Sequence, residues 1–417
     1  MQKSLYKISI GFIFAILLLP MFQYLISTFT IKPLQGAIAK VDNVQFSDTA
    51  WHNETYQKGK EKYLNQEFGF RNTLLRLNNE IYFRLYKIAK AKGVIVGKDN
   101  YLFEEGYIKD YYGISFIGNE KINGVVNRLT KIDSVFKTMN KTLLVVFAPG
   151  KASYYPEYIP DNFKRVSEET NYKGYRKAIA KSGINYIDFN EYFVAQKNKT
   201  KYVMYPKTGI HWSDYAAVLA LDSINKRLAK IRNYNPVEIY WTEFADKRDS
   251  VSLIDADIEN GMNLLFDISK PRLKYPILKF DEDGKNKPTV LNVGDSFYVN
   301  VFERGIASKV FNNAGFGFYF REIRSPFLAG GVQDIANVDL KDFISKHDVV
   351  MLMCTESTIC NFPFEFDSKV YNIFCTDLSD PAVYKQKLEE IKNNIRNSPD
   401  WLKAITEKAK ATNTDLE

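Results

Sequence analysis

Apolar residues follow three different patterns along the chain. From Ile8 to Ile31 they run for 24 residues without a charge, between Lys3 and Lys7 on one side and Lys32 on the other. At about 1.5 Å per residue, a helix of that length crosses the hydrocarbon core of a bilayer with some tilt. Pro20 and Gln23 are tolerable in a single span. The run is longer than the apolar part of a cleaved secretory signal and no A-x-A site follows it, which argues for an uncleaved anchor. The lysines on the short side put the N-terminus in the cytoplasm, so everything after residue 32 faces the periplasm or the exterior.

The second pattern is helical spacing. Tyr63, Leu64, Phe68, Leu74, Leu75, Leu77 and Ile81 predict a juxtamembrane helix from Asp48 to about Lys90. Ile122, Val125, Val126, Leu129, Ile132, Val135 and Phe136 predict an amphipathic helix over 118–139. Further helices are expected near 172–181 and after His211. The third pattern is the short continuous apolar run. Leu143–Ala148, stopped by Pro149-Gly150, reads as a strand buried on both faces. Strands are likewise expected at 184–189, 289–293, 310–312, 348–354 and 370–375, and Val94–Val96 with Tyr101–Phe103 reads as a hairpin. Strands alternating with helices imply a mostly parallel sheet covered on both sides. The organisation expected is an anchor over 1–32, a helical region over 33–90, an α/β domain over 91–380 with an irregular insertion at 233–287, and a C-terminal tail over 381–417. That tail reads as two charged helices from Pro381 to about Ala411, the second opened by Ser398 and Pro399.

Composition narrows the classes. Across 417 residues the net charge is +8, and 45% of residues are hydrophobic. With a mean hydropathy of −0.29, neither long disorder nor a polytopic membrane protein fits. No dense Lys/Arg run appears, so no nucleic-acid partner is expected. Cys354, Cys360 and Cys375 cannot all pair within one chain. Without a CxxC pair no metal site is expected, nor any cofactor, and Cys354 and Cys375 read as buried free thiols.

Two blocks carry candidate chemistry. In Val290-Leu291-Asn292-Val293-Gly294-Asp295-Ser296, a buried strand runs straight into Gly-Asp-Ser. Ligands of open α/β sheets sit at such carboxyl ends, so Ser296 is a candidate nucleophile; the alternative is a turn in which Asp295 or Ser296 merely caps a helix. In Tyr205-Pro206-Lys207-Thr208-Gly209-Ile210-His211-Trp212-Ser213, His211 precedes a helix capped by Ser213. The chain has three histidines; His52 and His347 lie in contexts that read as surface. A hydroxyl nucleophile needs a base within reach, usually histidine, which singles out the pair Ser296 and His211.

The order of "GVIVGKDNYLF", "LLVVFAPGK", "YPKTGIHWSDYAA", "VLNVGDSF" and "VFNNAGFG" resembles the SGNH-hydrolase-like alginate O-acetyltransferase family (AlgX/AlgJ-like, DHHW proteins) over roughly residues 60–380. The resemblance implies an α/β, SGNH-hydrolase-like (flavodoxin-like) three-layer sandwich with a mostly parallel sheet and permuted motif order, the His block preceding the Ser block. It further implies a periplasmic enzyme, held in the inner membrane, that moves an acetyl group onto hydroxyls of an exopolysaccharide. The acetyl group would arrive from a membrane-bound O-acyltransferase partner. Carried onto this chain, Ser296 is the nucleophile and His211 the base. The family's acid stands two places before the histidine, where this chain has Gly209. That leaves a Ser–His dyad, a substitute acid (Asp214, Asp295 or Glu356) or a weakened activity. For the oxyanion hole the candidates are the Ser296 N–H with Asn313 or the Gly315 amide. An acetyl-esterase and a non-catalytic polysaccharide-binding subunit are the alternative functions.

Overall fold

The computed structural model of the chain describes residues 2–36, 39–245, 253–376 and, in the C-terminal stretch, 385, 388, 389, 392, 393 and 395–412. Its centre is β3 (Thr142–Ala148), in which every residue is buried. Alternate side chains of β3 feed two separate cores: Leu144, Val146 and Ala148 on one face, Leu143, Val145 and Phe147 on the other. This is the period-2 geometry of a strand between two covering layers. The hairpin β1 (Val94–Val96) and β2 (Leu102–Glu104) precedes it, paired Ile95 to Phe103. The remaining sheet strands are β4 (Asn185–Asp188), β5 (Thr289–Gly294), β6 (Asn312–Phe318), β7 (Glu322–Arg324), β8 (Val332–Asp334) and β9 (Val349–Thr355). They order as β8-β7-β6-β5-β9-β3-β4. The five strands from β6 to β4 are parallel, and β7 and β8 return antiparallel at one edge.

The long N-terminal helix is α1 (Gln2–Ile26), whose Leu5–Ile26 segment is long and apolar enough to cross a membrane. The single helix expected over 48–90 is instead three: α2 (Asp48–His52), α3 (Thr55–Glu67) and α4 (Arg71–Tyr86). The breaks fall at Glu54 and Phe70, which take left-handed backbone conformations. On one face of the sheet lies α7 (Asp214–Arg232), burying Ala216, Ala217, Leu221, Ile224 and Leu228. On the other lie α5 (Asn119–Thr138), α6 (Asn171–Ser182) and α9 (Phe366–Phe374). The three-layer, mostly parallel α/β architecture is the one the alternating runs predict. In a core this closely filled, shortening one buried leucine such as Leu144 to alanine costs about 2–5 kcal/mol.

Three strand assignments change. Residues 370–374 belong to α9 and Cys375 caps it, because Phe366, Val370 and Phe374 repeat every four residues and pack as a helical stripe. Val310 ends a short helix, and the strand begins at Asn312 and runs on to Phe318. The short edge strands β7 and β8 have no apolar run to announce them. Residues 233–287 form small two-stranded pairs, 238–240 with 279–281 and 244–245 with 275–276, and a one-and-a-half-turn helix α8 (Asp257–Met262). At the C-terminus α10 (Pro399–Thr412) is helical as expected; the first of the two tail helices falls mostly outside the described residues. Cys354 is buried, whereas Cys360 and Cys375 are half-buried, and all three are free.

Candidate functional site

The site gathers at the carboxyl end of the sheet. β5 ends at Gly294, where a Cβ would lie 2.8 Å from the Met353 carbonyl oxygen of the neighbouring β9. Glycine is therefore required there for the strands to stay paired while the chain turns off the sheet. Asp295 caps the 3-10 turn that follows, its Oδ1 accepting from the Phe297 N–H at 3.1 Å. Its Oδ2 accepts from the Thr355 N–H (2.8 Å), Thr355 Oγ1 (2.7 Å) and Thr358 Oγ1 (2.6 Å). Asp295 thus ties the end of β5 to the end of β9 and presents Ser296 at the top of the sheet. It makes no hydrogen bond to His211, so the expectation that it could serve as the histidine's acid is corrected.

The His211 loop is held from below. Lys151, just past the end of β3, is buried, and its Nζ donates to the carbonyl oxygens of Lys207 (2.9 Å) and Gly209 (2.7 Å). Burial pulls its ammonium down to about 7 from 10.5. On the far side of the histidine, the Trp212 indole N–H donates to the Phe297 carbonyl at 3.0 Å, and Ser213 caps α7. His211 Nε2 lies 2.8 Å from Ser296 Oγ, and its Nδ1 lies 2.7 Å from Asp257 Oδ2. A carboxylate only accepts, so Nδ1 carries the proton toward Asp257 and Nε2 is left to accept from the serine hydroxyl. The other oxygen of Asp257 accepts from the Ile210 N–H at 2.8 Å, which locks the carboxylate against the loop.

The carboxylate that His211 meets is therefore Asp257, at the start of α8 within the 233–287 insertion. The substitutes weighed from sequence are elsewhere. Asp214 pairs with Arg304 at 2.6 Å. Glu356 is buried against Ser153 and Asn190. Gly209 contributes only its carbonyl, to Lys151. No local pattern marks Asp257, 46 residues after the histidine; a lone Asp in an irregular insertion is legible only once the chain is folded.

The oxyanion candidates also change. Asn312 pairs with Thr289 and Phe318 with Gly294, so Asn313 and Gly315 lie toward the amino end of β6, the end remote from Ser296. Gly315 packs beside His347. His347 is itself buried, its Nδ1 2.9 Å from the Phe343 carbonyl, rather than at the surface. The residue that does reach Ser296 is Tyr319, just past the carboxyl end of β6. Its N–H donates to the Gly294 carbonyl at 2.8 Å, and its phenol lies close enough to Ser296 for the serine to influence its titration. Burial and the nearby Asp295 charge hold that phenol above its ordinary value, so it stays a proton donor. A second carboxyl, Glu104 at the end of β2, is half-buried and raised, first by desolvation and then by the Asp257 charge.

Residues 94–247 match the family profile described as "SGNH hydrolase-like domain, acetyltransferase AlgX". No curated protein sequence matches the chain. Among solved structures, the O-acetyltransferase domain of Pseudomonas putida AlgJ is 14% identical, with a TM-score of 0.43 over 67% of this chain and 99% of that one. Bacillus cereus PatB1 is 13% identical, with a TM-score of 0.38 over 60% and 93%. Pseudomonas aeruginosa AlgX is 12% identical, with a TM-score of 0.41 over 68% and 69%. Residues 94–247 are thus similar to the SGNH hydrolase-like, AlgX-type acetyltransferase domain, and in this chain that stretch supplies His211, which meets Ser296 and Asp257 at the carboxyl end of a mostly parallel sheet.

Proposed function

We propose that this protein is a membrane-anchored, extracytoplasmic O-acetyltransferase that acetylates hydroxyls of an exopolysaccharide through an acyl-Ser296 intermediate. The observation that carries the reading is the continuous line Asp257–His211–Ser296, at 2.7 and 2.8 Å, on a domain of the AlgX type.

In the first half-reaction Ser296 Oγ attacks the acetyl carbonyl carbon of a donor ester while His211 Nε2 takes the hydroxyl proton. Asp257 stabilises the imidazolium without itself being protonated. The Ser296 N–H and the Tyr319 phenol are the donors available to the tetrahedral oxyanion, and removing one such donor typically costs about 10²–10³ in turnover. Collapse breaks the bond to the donor oxygen, which leaves with the proton from His211. In the second half a sugar hydroxyl attacks the acetyl-Ser296 carbonyl, His211 takes its proton, and collapse returns that proton to Ser296 Oγ. The acetylated sugar is released and the enzyme is regenerated.

The donor is assigned to a membrane-bound O-acyltransferase partner, and the anchor to the Leu5–Ile26 segment of α1, which would hold the domain on the periplasmic face of the inner membrane. Alginate is the polymer that the family's name suggests. Hydrolysis is the second reading: the His211 side chain is 14% exposed, so water can compete with the sugar for the acyl-enzyme. With an acid in place beside His211, a non-catalytic binding subunit loses its main motive. The test is incubation of the full chain with an activated acetyl ester, followed by mass spectrometry. Acetyl on Ser296, transferred to an added oligosaccharide, is expected. Transfer that persists undiminished in Ser296→Ala or His211→Ala would overturn the assignment.

A further inference from the structure

Helix α4 is inside out for a protein surface. The face turned toward the domain is polar: Arg76 and Glu80 are buried beside Phe83. Arg76 Nη1 donates to the Leu264 carbonyl at 3.1 Å and its Nη2 to that of Pro33 at 2.8 Å. Glu80 Oε2 accepts from the N–H groups of Leu265 (3.1 Å) and Phe266 (3.3 Å), and Asn79 donates to the Met262 carbonyl at 2.8 Å. The opposite face carries Leu74, Leu77, Ile81 and Leu85, spaced three and four apart and between 44% and 70% exposed; no described residue covers them. Ile88 continues the line, and Phe266 is exposed on the segment α4 holds. Water is the wrong solvent for that stripe.

Two further observations say what is the right one. The stripe ends in a basic stretch, Arg84, Lys87, Lys90 and Lys92, with no acidic residue between Glu80 and Asp99. Among the described residues, Lys87, Lys90 and Lys92 have no carboxylate partner: Lys87 bonds Asn100, and Lys90 lies over the Tyr82 ring. The start of α4 also sits against the exit end of the membrane-spanning segment. A Cβ at Gly69 would overlap the Pro20 carbonyl, and the Phe70 and Phe29 rings stand 5.8 Å apart. An apolar stripe with a basic end, beginning where a span leaves the bilayer, is the composition of an interfacial helix.

We propose that the Leu74–Leu77–Ile81–Leu85 face of α4 lies in the headgroup region of the membrane that α1 crosses, with Lys87, Lys90 and Lys92 on anionic lipid. Because the polar face of α4 grips residues 262–266, directly after the helix that carries Asp257, this contact sets how the site is presented to the membrane. The inference rests on α1 being a membrane anchor, and the test separates the two.

Benzoylphenylalanine is placed singly at Phe14, Leu77, Ile81 and the exposed Val166 in the full chain. The protein is reconstituted into phosphatidylcholine vesicles with and without phosphatidylglycerol, irradiated and examined by mass spectrometry. Lipid adducts at 14, 77 and 81 but not at 166 are expected, with yields at 77 and 81 rising several-fold when phosphatidylglycerol is present. Adducts at 14 with none at 77 and 81, or only protein–protein adducts there, would overturn the docking and, in the second case, assign the face to a second copy. Absence of lipid at 14 would overturn the anchor itself. Equal yields in both vesicle types would remove the role given to the lysines.

Discussion

Three side chains converge on one proton path, and they differ in what each is there to do. In the proposed mechanism Ser296 and His211 take part in bond making, whereas Asp257 fixes the tautomer of His211 and stabilises the imidazolium. Asp257→Asn leaves the shape and reverses the hydrogen bond that sets the tautomer, so turnover should fall by about 10⁴ while acetyl-ester binding persists. A loss of only a few-fold in steady-state kinetics would return the acid's role to another group. Glu356 gives a contrasting case. Burial pushes its carboxyl up to about 7 from 4.5, only partly offset by Ser153 and Asn190, and the Asp110 charge adds to the rise. The folded form therefore binds this proton more tightly than the unfolded chain, so its contribution to stability is full below the unfolded value and is lost as pH rises through about 7. That difference amounts to roughly 3 kcal/mol between acid and neutral conditions. Glu356→Gln should flatten the pH dependence of urea unfolding over that window, and an unchanged slope would refute the assignment.

At the scale of elements, the site is a set of strand ends tied together. Just past β3, Lys151 makes two hydrogen bonds that brace the 207–211 loop; β5 leads into the Asp295–Ser296 turn; β9 ends in Thr355 and leads to Thr358, which hold that turn. Lys151→Met removes the brace while filling the same space. An ångström of drift in His211 is enough to lower kcat/KM by about 10²-fold, and rescue by Lys151→Arg in the same assay would tie the loss to the donated hydrogen bonds. At Gly294 any side chain meets the Met353 carbonyl. Gly294→Ala should cost about 1–3 kcal/mol in chemical unfolding, with the strand end, and hence Ser296, displaced. Elements with a strong apolar period were readable in advance, as α5 and β3 show. The segment 366–374 was misread because Val370–Cys375 is a short apolar run, ambiguous between buried strand and helix until Phe366 is seen to share its face. The long helix expected over 48–90 failed for another reason: Glu54 and Phe70 turn the chain with backbone conformations that no residue preference announces.

For the molecule as a whole, the candidate site and the apolar helix α1 are separable. α1 contributes no residue to either face of the sheet, and its apolar side chains are exposed along most of its length. A chain beginning at residue 33 should therefore keep its acetyl-ester hydrolysis rate. It should pass from a fraction that resists high salt to one that salt extracts, since only the α4 face and its lysines would remain to hold it. Loss of activity on this truncation would mean that the anchor shapes the site directly.

Taken alone, the sequence determined the apolar span, the alternation of buried strands and amphipathic helices, and two of the three side chains that line up at the candidate site. Each of these is a local pattern: a run length, a period, or a short block at a strand end, such as Val293-Gly294-Asp295-Ser296. The tertiary structure alone decided the rest. It brought Asp257 from an irregular insertion to His211, turned Asp295 away to hold the strand ends, put Tyr319 rather than Asn313 beside Ser296, and buried His347. It also left the leucines of α4 facing outward while burying Arg76 and Glu80. The physical reason is the same throughout. Hydrophobic period is written into neighbouring residues, whereas a hydrogen bond between groups 46 or 85 residues apart exists only after the backbone has been folded back on itself.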